Sequence, residues 1–258
     1  MKIAVTVATC NRPQWLRLFL LQMANQTVKP DVVVVHENGQ SQSMVGMFKD
    51  IPVTTDFIFT NKKLETPDFY IPAMRRALEE HDPDVVFYLN DDNIYFSDHI
   101  EKTVAGLRDG RFDVSYLSHG NVLVLDRGIE YYSNVEWKNF FGNLGVDDGF
   151  ALSNRAARQY LEYLEFASRQ CKNRQWQPSM NGTRFQPATD HPSDGVRFSV
   201  LHPEILEYQY LRRVNFVHGG TSVWVHHGGN LSSTTDQFNN SGLRVHLRSR
   251  RLWETGRV

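Results

Sequence analysis

The sequence predicts an α/β fold: a mostly parallel sheet flanked by helices, followed by a smaller mixed or antiparallel part. Three features carry that expectation. Short β-branched runs such as Ile3 to Ala8 and Val32 to Val35 are almost continuously apolar, as strands buried on both faces are. Amphipathic segments alternate with these runs, the pattern of a helix-covered parallel sheet. Each run ends abruptly in polar residues.

Taken in order, Ile3 to Ala8 is the first strand. Leu16, Phe19, Leu20 and Met23 then fall at helical spacing, with Asn11 as an expected cap and Pro13 in the first turn. Val32 to Val35 is a second strand. Met44 to Phe48 suits a short helix, and Thr55 to Phe59 a third strand. Tyr70, Ala73, Met74, Ala77 and Leu78 mark another helix, and Val85 to Leu89 a fourth strand. Beyond it, Asp113 to Ser118 and Asn121 to Leu125 read as two strands joined at His119-Gly120. Phe150 to Ser153 reads as a strand leading into a helix from Asn154 to about Gln170. Lys172 to Ser193 is polar and proline-containing, which suits a functional loop. Short strands are expected within Tyr208 to Val217 and Ser222 to His227.

Composition narrows the function. The chain has 258 residues, 41% hydrophobic and 22% charged, which excludes a disordered polyelectrolyte. A formal net charge of -1 excludes a global basic field for gathering nucleic acid, although Arg244, Arg248, Arg250, Arg251 and Arg257 crowd the final stretch. Cys10 and Cys171 alone make a disulfide scaffold an unsuitable explanation and point to a reducing compartment. No apolar run suffices for a signal peptide or a bilayer span, so the expected setting is cytoplasmic, without an anchor.

In open parallel sheets, ligands bind beyond the carboxyl ends of the strands. The four ends carry Thr9-Cys10-Asn11-Arg12, His36-Glu37-Asn38-Gly39, Thr60-Asn61-Lys62-Lys63 and Asn90-Asp91-Asp92-Asn93. Solvation explains any one polar end. It explains less well the jump from Leu89 to the adjacent carboxylates Asp91 and Asp92, which repel unless a cation or proton intervenes. Mg²⁺ or Mn²⁺ suits such oxygen donors and would bridge a diphosphate. A helix cap or solvated turn is the structural alternative.

VATCNRPQWLRLFLLQMANQT (7–27), VVVVHENGQSQ (32–42) and YLNDDNIYFSDHIEK (88–102) together resemble the GT-A glycosyltransferases of the family-2 type. The resemblance covers roughly the first 100 residues and implies a metal-dependent transfer of sugar from a nucleotide-sugar, a UDP-sugar first, to a hydroxyl acceptor. It implies that Thr9, Asn11, Arg12 and Glu37 hold the base and ribose, and that Asn61 and Lys62 touch the base or diphosphate. Asp91, Asp92 and Asn93 would form the metal and ribose site; Asn93 departs from the family's usual third Asp, which shifts ligation toward Asp92.

Two later stretches resemble the family more loosely. GVDDGFALSNRAARQYL (145–161) is similar to a strand and helix contacting donor and acceptor. HPSDGVRFSVL (191–201) is similar to the acidic motif at the acceptor, making Asp194 the implied base, with Asp147 and Asp148 as competitors. An inverting transfer needs such a carboxylate to take the acceptor's proton. His226 and His227 close a Val-Trp-Val strand; adjacent strand residues face opposite ways, so one of the two can serve the metal. Core packing is the structural alternative for them, as for Trp137, Trp176 and Trp224, which are otherwise available to stack on sugar or base. The implied organisation is one domain over 1–258: a nucleotide-sugar half (1–100), an acceptor half (101–230) and a basic tail (231–258).

Three other functions stay open. The arginine-rich tail suits a glycosyltransferase acting on a modified nucleic-acid base. A nucleotidyltransferase would share the fold but usually carries a glycine-rich loop after its first strand, where this chain has none. A catalytically dead carbohydrate-binding domain is the third.

Overall fold

The computed structural model describes residues 1–64, 68–91, 93–95, 97–105, 107–108, 110, 114–116, 120–125, 128–134, 150–172, 176–178, 185–187, 216–218 and 225–226. Its strands are β1 (Ile3–Thr9), β2 (Val32–Asn38), β3 (Thr55–Thr60), β4 (Val85–Tyr88), β5 (Asn93–Ile94), β6 (Val114–Tyr116), β7 (Gly120–Leu125), β8 (Gly128–Asn134), β9 (Phe150–Ser153), β10 (Trp176–Pro178), β11 (Phe185–Pro187), β12 (Phe216–His218) and β13 (Val225–His226). Its α-helices are α1 (Pro13–Ala24), α2 (Ile71–Arg76), α3 (His99–Ala105) and α4 (Asn154–Lys172).

The main sheet has the order β12-β6-β9-β4-β1-β2-β3. β1 is parallel to both β2 and β4, and β2 is parallel to β3. Only β9 runs the other way, antiparallel to β4 and β6, while β12 is again parallel to β6. This is the α/β, mostly parallel arrangement expected from the sequence.

The alternation of β1 explains its place at the centre. Ile3, Val5 and Val7 join the main core with Leu16, Phe19, Leu20 and Met23 of α1. Ala4, on the opposite face, packs with Val32, Val34, Ala73 and Ala77. Small residues on that side let α2 approach the sheet closely. Thr6 is buried, and its hydroxyl donates to the Phe87 carbonyl at 2.9 Å.

Several local expectations are corrected. The cap of α1 is Arg12, with no side-chain capping bond; Asn11 precedes it at φ 54, a left-handed conformation that Asn tolerates better than most residues. The Met44 to Phe48 segment is a 3₁₀ turn over Val45–Phe48. α2 continues into a π-helical turn, Ala77–His81, closed by Asp82 at φ 40. The two strands expected on either side of His119-Gly120 form as β6 and β7 but join different sheets: β6 lies in the main sheet, whereas β7, which already includes Gly120, pairs with β8, a strand the sequence pattern did not reveal. The loop expected over Lys172 to Ser193 contains the antiparallel pair β10–β11. The physical reason is the same in both cases. β8, β10 and β11 lie away from the central sheet and have no continuous apolar run to announce them, and their pairing is decided by through-space partners. Among the described residues, no helix is long and apolar enough to cross a membrane.

Candidate active site

Because β1 to β4 are parallel, their carboxyl ends lie along one edge. Thr9 stands beside Glu37, and Asn38 beside Thr60, in the strand register. Three residues from two separate motifs meet here. Thr9 Oγ1 donates to Asp91 Oδ2 at 2.7 Å, and Arg12 Nη2 lies 3.0 Å from Asp91 Oδ1. Asp91 is 1% exposed and Arg12 13%, so the pair is nearly removed from water. The arrangement locks the end of β4 to the end of β1 and to the start of α1. It also engages both carboxylate oxygens of Asp91 with protein groups, which suits a role in shaping the edge.

The end of β2 is equally tied down. Glu37 is fully buried. Ser43 Oγ donates to its Oε2 at 2.5 Å, and the Met44 amide to its Oε1 at 2.5 Å. The resemblance implies contact of this carboxylate with base and ribose; in the fold both of its oxygens accept hydrogen bonds from the loop after β2. Asn38 clamps the loop after β3, donating to the Leu64 carbonyl at 2.9 Å and accepting from the Leu64 amide at 2.7 Å. Gly39, at φ +68, completes the junction: a Cβ there would come within 2.7 Å of Lys63 Cβ and 2.8 Å of Lys63 Cα. The loop carrying Asn61 and Lys62 is thereby pressed against the end of β2. Both residues are exposed, as is Asn11 on the first loop.

His36 sits beneath this junction. Burial lowers its pKa, opposed in part by the hydrogen bond with Phe69. The neutral ring must donate from Nδ1, since the Phe69 carbonyl at 2.8 Å can only accept. Nε2 is then left to accept from the Thr60 hydroxyl at 3.0 Å.

The fourth end carries the acidic motif. Antiparallel pairing of β13 with β5 sets Val225 against Ile94 and His226 against Asn93. A histidine more than 130 positions downstream thus stands at the register of the acidic motif. Asp92, His227, Asp148, Asp194, Trp137 and Trp224 lie outside the described residues, and Trp176 falls in β10. Among the described residues, no group of three or more His, Cys, Asp or Glu is placed to hold a metal ion.

Sequence reasoning passed over two residues that shape this segment, Tyr95 and Gln22. The Tyr95 hydroxyl accepts from the Asn90 amide at 3.0 Å and donates to the Asn90 carbonyl at 3.1 Å. The Tyr95 amide donates to Gln22 Oε1 at 2.6 Å. A tyrosine and a glutamine in apolar company give no chemical signal of their own; only the fold brings them to the motif.

Four parallel strands whose polar carboxyl ends lie along one edge form the ligand-binding side of an open α/β sheet. The sequence profile of glycosyl transferase family 2 matches residues 4–153. The chain belongs to that family, as its motifs suggested. No curated protein matches the sequence. Among solved structures, S. aureus TarS is 13% identical with a TM-score of 0.49, over 64% of this chain and 31% of TarS. The 1–349 portion of TarS in complex with UDP-GlcNAc is 14% identical with a TM-score of 0.47, over 65% of this chain and 48% of that one. GlyE of Streptococcus pneumoniae TIGR4 is 13% identical with a TM-score of 0.44, over 84% of this chain and 45% of GlyE. The chain therefore spans less than half the length of each of these.

Proposed function

We propose that this chain is a glycosyltransferase that moves a sugar from a UDP-sugar to an acceptor hydroxyl, with inversion, and depends on Mn²⁺ or Mg²⁺. The observation that carries the metal dependence is the register of His226 against Asn93. It pairs the backbone of His226 with the segment that also holds Asp92, and residues of these types offer donors suited to a small divalent cation. Asp92, Asn93 and one of His226 and His227 would hold the ion. When bound, it supplies positive charge against the departing diphosphate.

The protein's own groups do the rest. Asn11, Asn61 and Lys62, exposed on the loops after β1 and β3, are available to the nucleotide. Thr9, Arg12 and Asp91 fix the edge on which it would lie, and Glu37 fixes the loop after β2. In the transfer, the acceptor oxygen bonds to the anomeric carbon as the bond from that carbon to the diphosphate breaks. Asp194 takes the acceptor's proton, with Asp148 as the alternative base.

Calorimetry of UDP binding with and without Mn²⁺ tests the metal assignment. Asp92→Ala is expected to abolish the metal-dependent part of the affinity, and unchanged affinity refutes it. Asp194→Asn is expected to keep donor binding and lose transfer; full activity in that variant moves the base elsewhere.

A further inference from the structure

The segment between β4 and α3 carries the acidic motif, and its conformation is not fixed by sheet pairing alone. β4 ends at Tyr88, and the Leu89 amide still donates to the Thr6 carbonyl at 3.1 Å. Asn90 is the first residue to leave the ladder. Its amide and carbonyl are both taken up by one side-chain hydroxyl, that of Tyr95. The bridge ties two positions five residues apart in sequence, one on each side of the acidic motif.

That segment is fastened on the helix side as well. The Tyr95 ring is 1% exposed and packs edge-on against Phe19 of α1, with centroids 5.9 Å apart, and against His99 of α3 at 5.0 Å. The Tyr95 amide reaches Gln22 on α1, itself 1% exposed. Tyr95 is thus anchored by three contacts before its hydroxyl reaches back to Asn90. Asp91, within the segment, is held from the β1 side by Thr9 and Arg12. The two holds act from opposite sides on a segment of a few residues.

We propose that Tyr95 is a positioning residue: its hydroxyl sets the backbone of the 90–94 segment and so presents Asp92 and Asn93 to the divalent cation. The inference rests on the metal-dependent function proposed above. It goes further in assigning the geometry of that segment to one phenolic hydroxyl that touches neither metal nor substrate. Removing this hydroxyl alone should weaken the metal, because groups that orient ligands typically change metal affinity by about 10-fold or more.

The test is Tyr95→Phe, which keeps the ring in its packed site and removes both bonds to Asn90. Tyr160→Phe, a hydroxyl deletion at another buried tyrosine on α4, is the control. The Mn²⁺ concentration giving half-maximal UDP binding is read by calorimetry, together with UDP affinity in EDTA and the melting temperature. The expected result is a midpoint raised about 10-fold in Y95F. Affinity in EDTA should be unchanged, and tight binding should recover at saturating Mn²⁺. A structural role alone would lower the melting temperature without moving the midpoint. A Y95F midpoint within about two-fold of Y160F overturns the positioning role while leaving the metal-dependent function standing. UDP binding by the unaltered protein that ignores Mn²⁺ overturns both. Should Y95F not fold, Tyr95→Met fills the same apolar site and also lacks the hydroxyl that bonds Asn90. The same rise in midpoint then supports the inference, and an unmoved midpoint overturns it.

Discussion

Acidification should destabilise this protein well above the range where its carboxylates titrate, and His99 is the main reason. His99 opens α3, is 0% exposed, and lies between the rings of Tyr95 and Phe87. Neither ring nitrogen has a hydrogen-bond partner among the described residues. Burial pushes its pKa down to about 3, opposed in part by the charge of Asp98. In the unfolded chain the same imidazole titrates near 6.5. Between these two values the unfolded state holds about one more proton than the folded state. Stability is therefore fully present above the unfolded pKa and is lost as pH falls, at about 1.4 kcal/mol per pH unit. From pH 7 to pH 5 this one group removes about 2 kcal/mol. His36, also lowered by burial, acts in the same direction. Asp56 does not contribute there. Burial raises it, but hydrogen bonds from Arg76 and His81 outweigh that and hold it below the usual carboxylate value, so its stability is lost only below about pH 4. Urea unfolding at pH 7 and pH 5 measures the effect, with His99→Phe as the comparison. Phenylalanine keeps the ring contacts and cannot take a proton. The native protein should lose about 2 kcal/mol more than the variant over that interval. Equal losses in the two proteins would refute the reasoning.

Other consequences follow from the strand-end contacts. Asp91→Ala leaves the Arg12 guanidinium buried without this carboxylate; a loss of about 3–5 kcal/mol is expected in urea unfolding, with UDP affinity falling as well. Gly39→Ala forces a Cβ into Lys63 at a left-handed φ, so a loss of about 1–3 kcal/mol is expected, with a raised KM for the donor from the displaced 61–64 loop. Glu37→Ala removes both acceptors for the Ser43–Met44 turn; faster amide exchange at Met44, read by hydrogen exchange, is the check. His226→Ala should raise the Mn²⁺ requirement for UDP binding without changing affinity in EDTA, and calorimetry decides it.

The first half of the chain announced itself because its strands are buried on both faces. Ile3 to Thr9, Val32 to Asn38 and Val85 to Tyr88 are runs whose apolar character admits little but a central parallel sheet, and the polar residues that follow them had to lie along one edge. Family membership was legible in the same residues. Which groups at that edge remain free for a ligand was not legible. Glu37 and Asp91 look alike in sequence, as acids at strand ends, yet the fold engages one with its own loop and the other with Thr9 and Arg12. Local sequence carries the period of burial, which sets strand and helix. Pairing across 130 positions, as between Asn93 and His226, and the anchoring of a loop by Tyr95 depend on through-space partners that no local pattern encodes, so only the tertiary structure decided them.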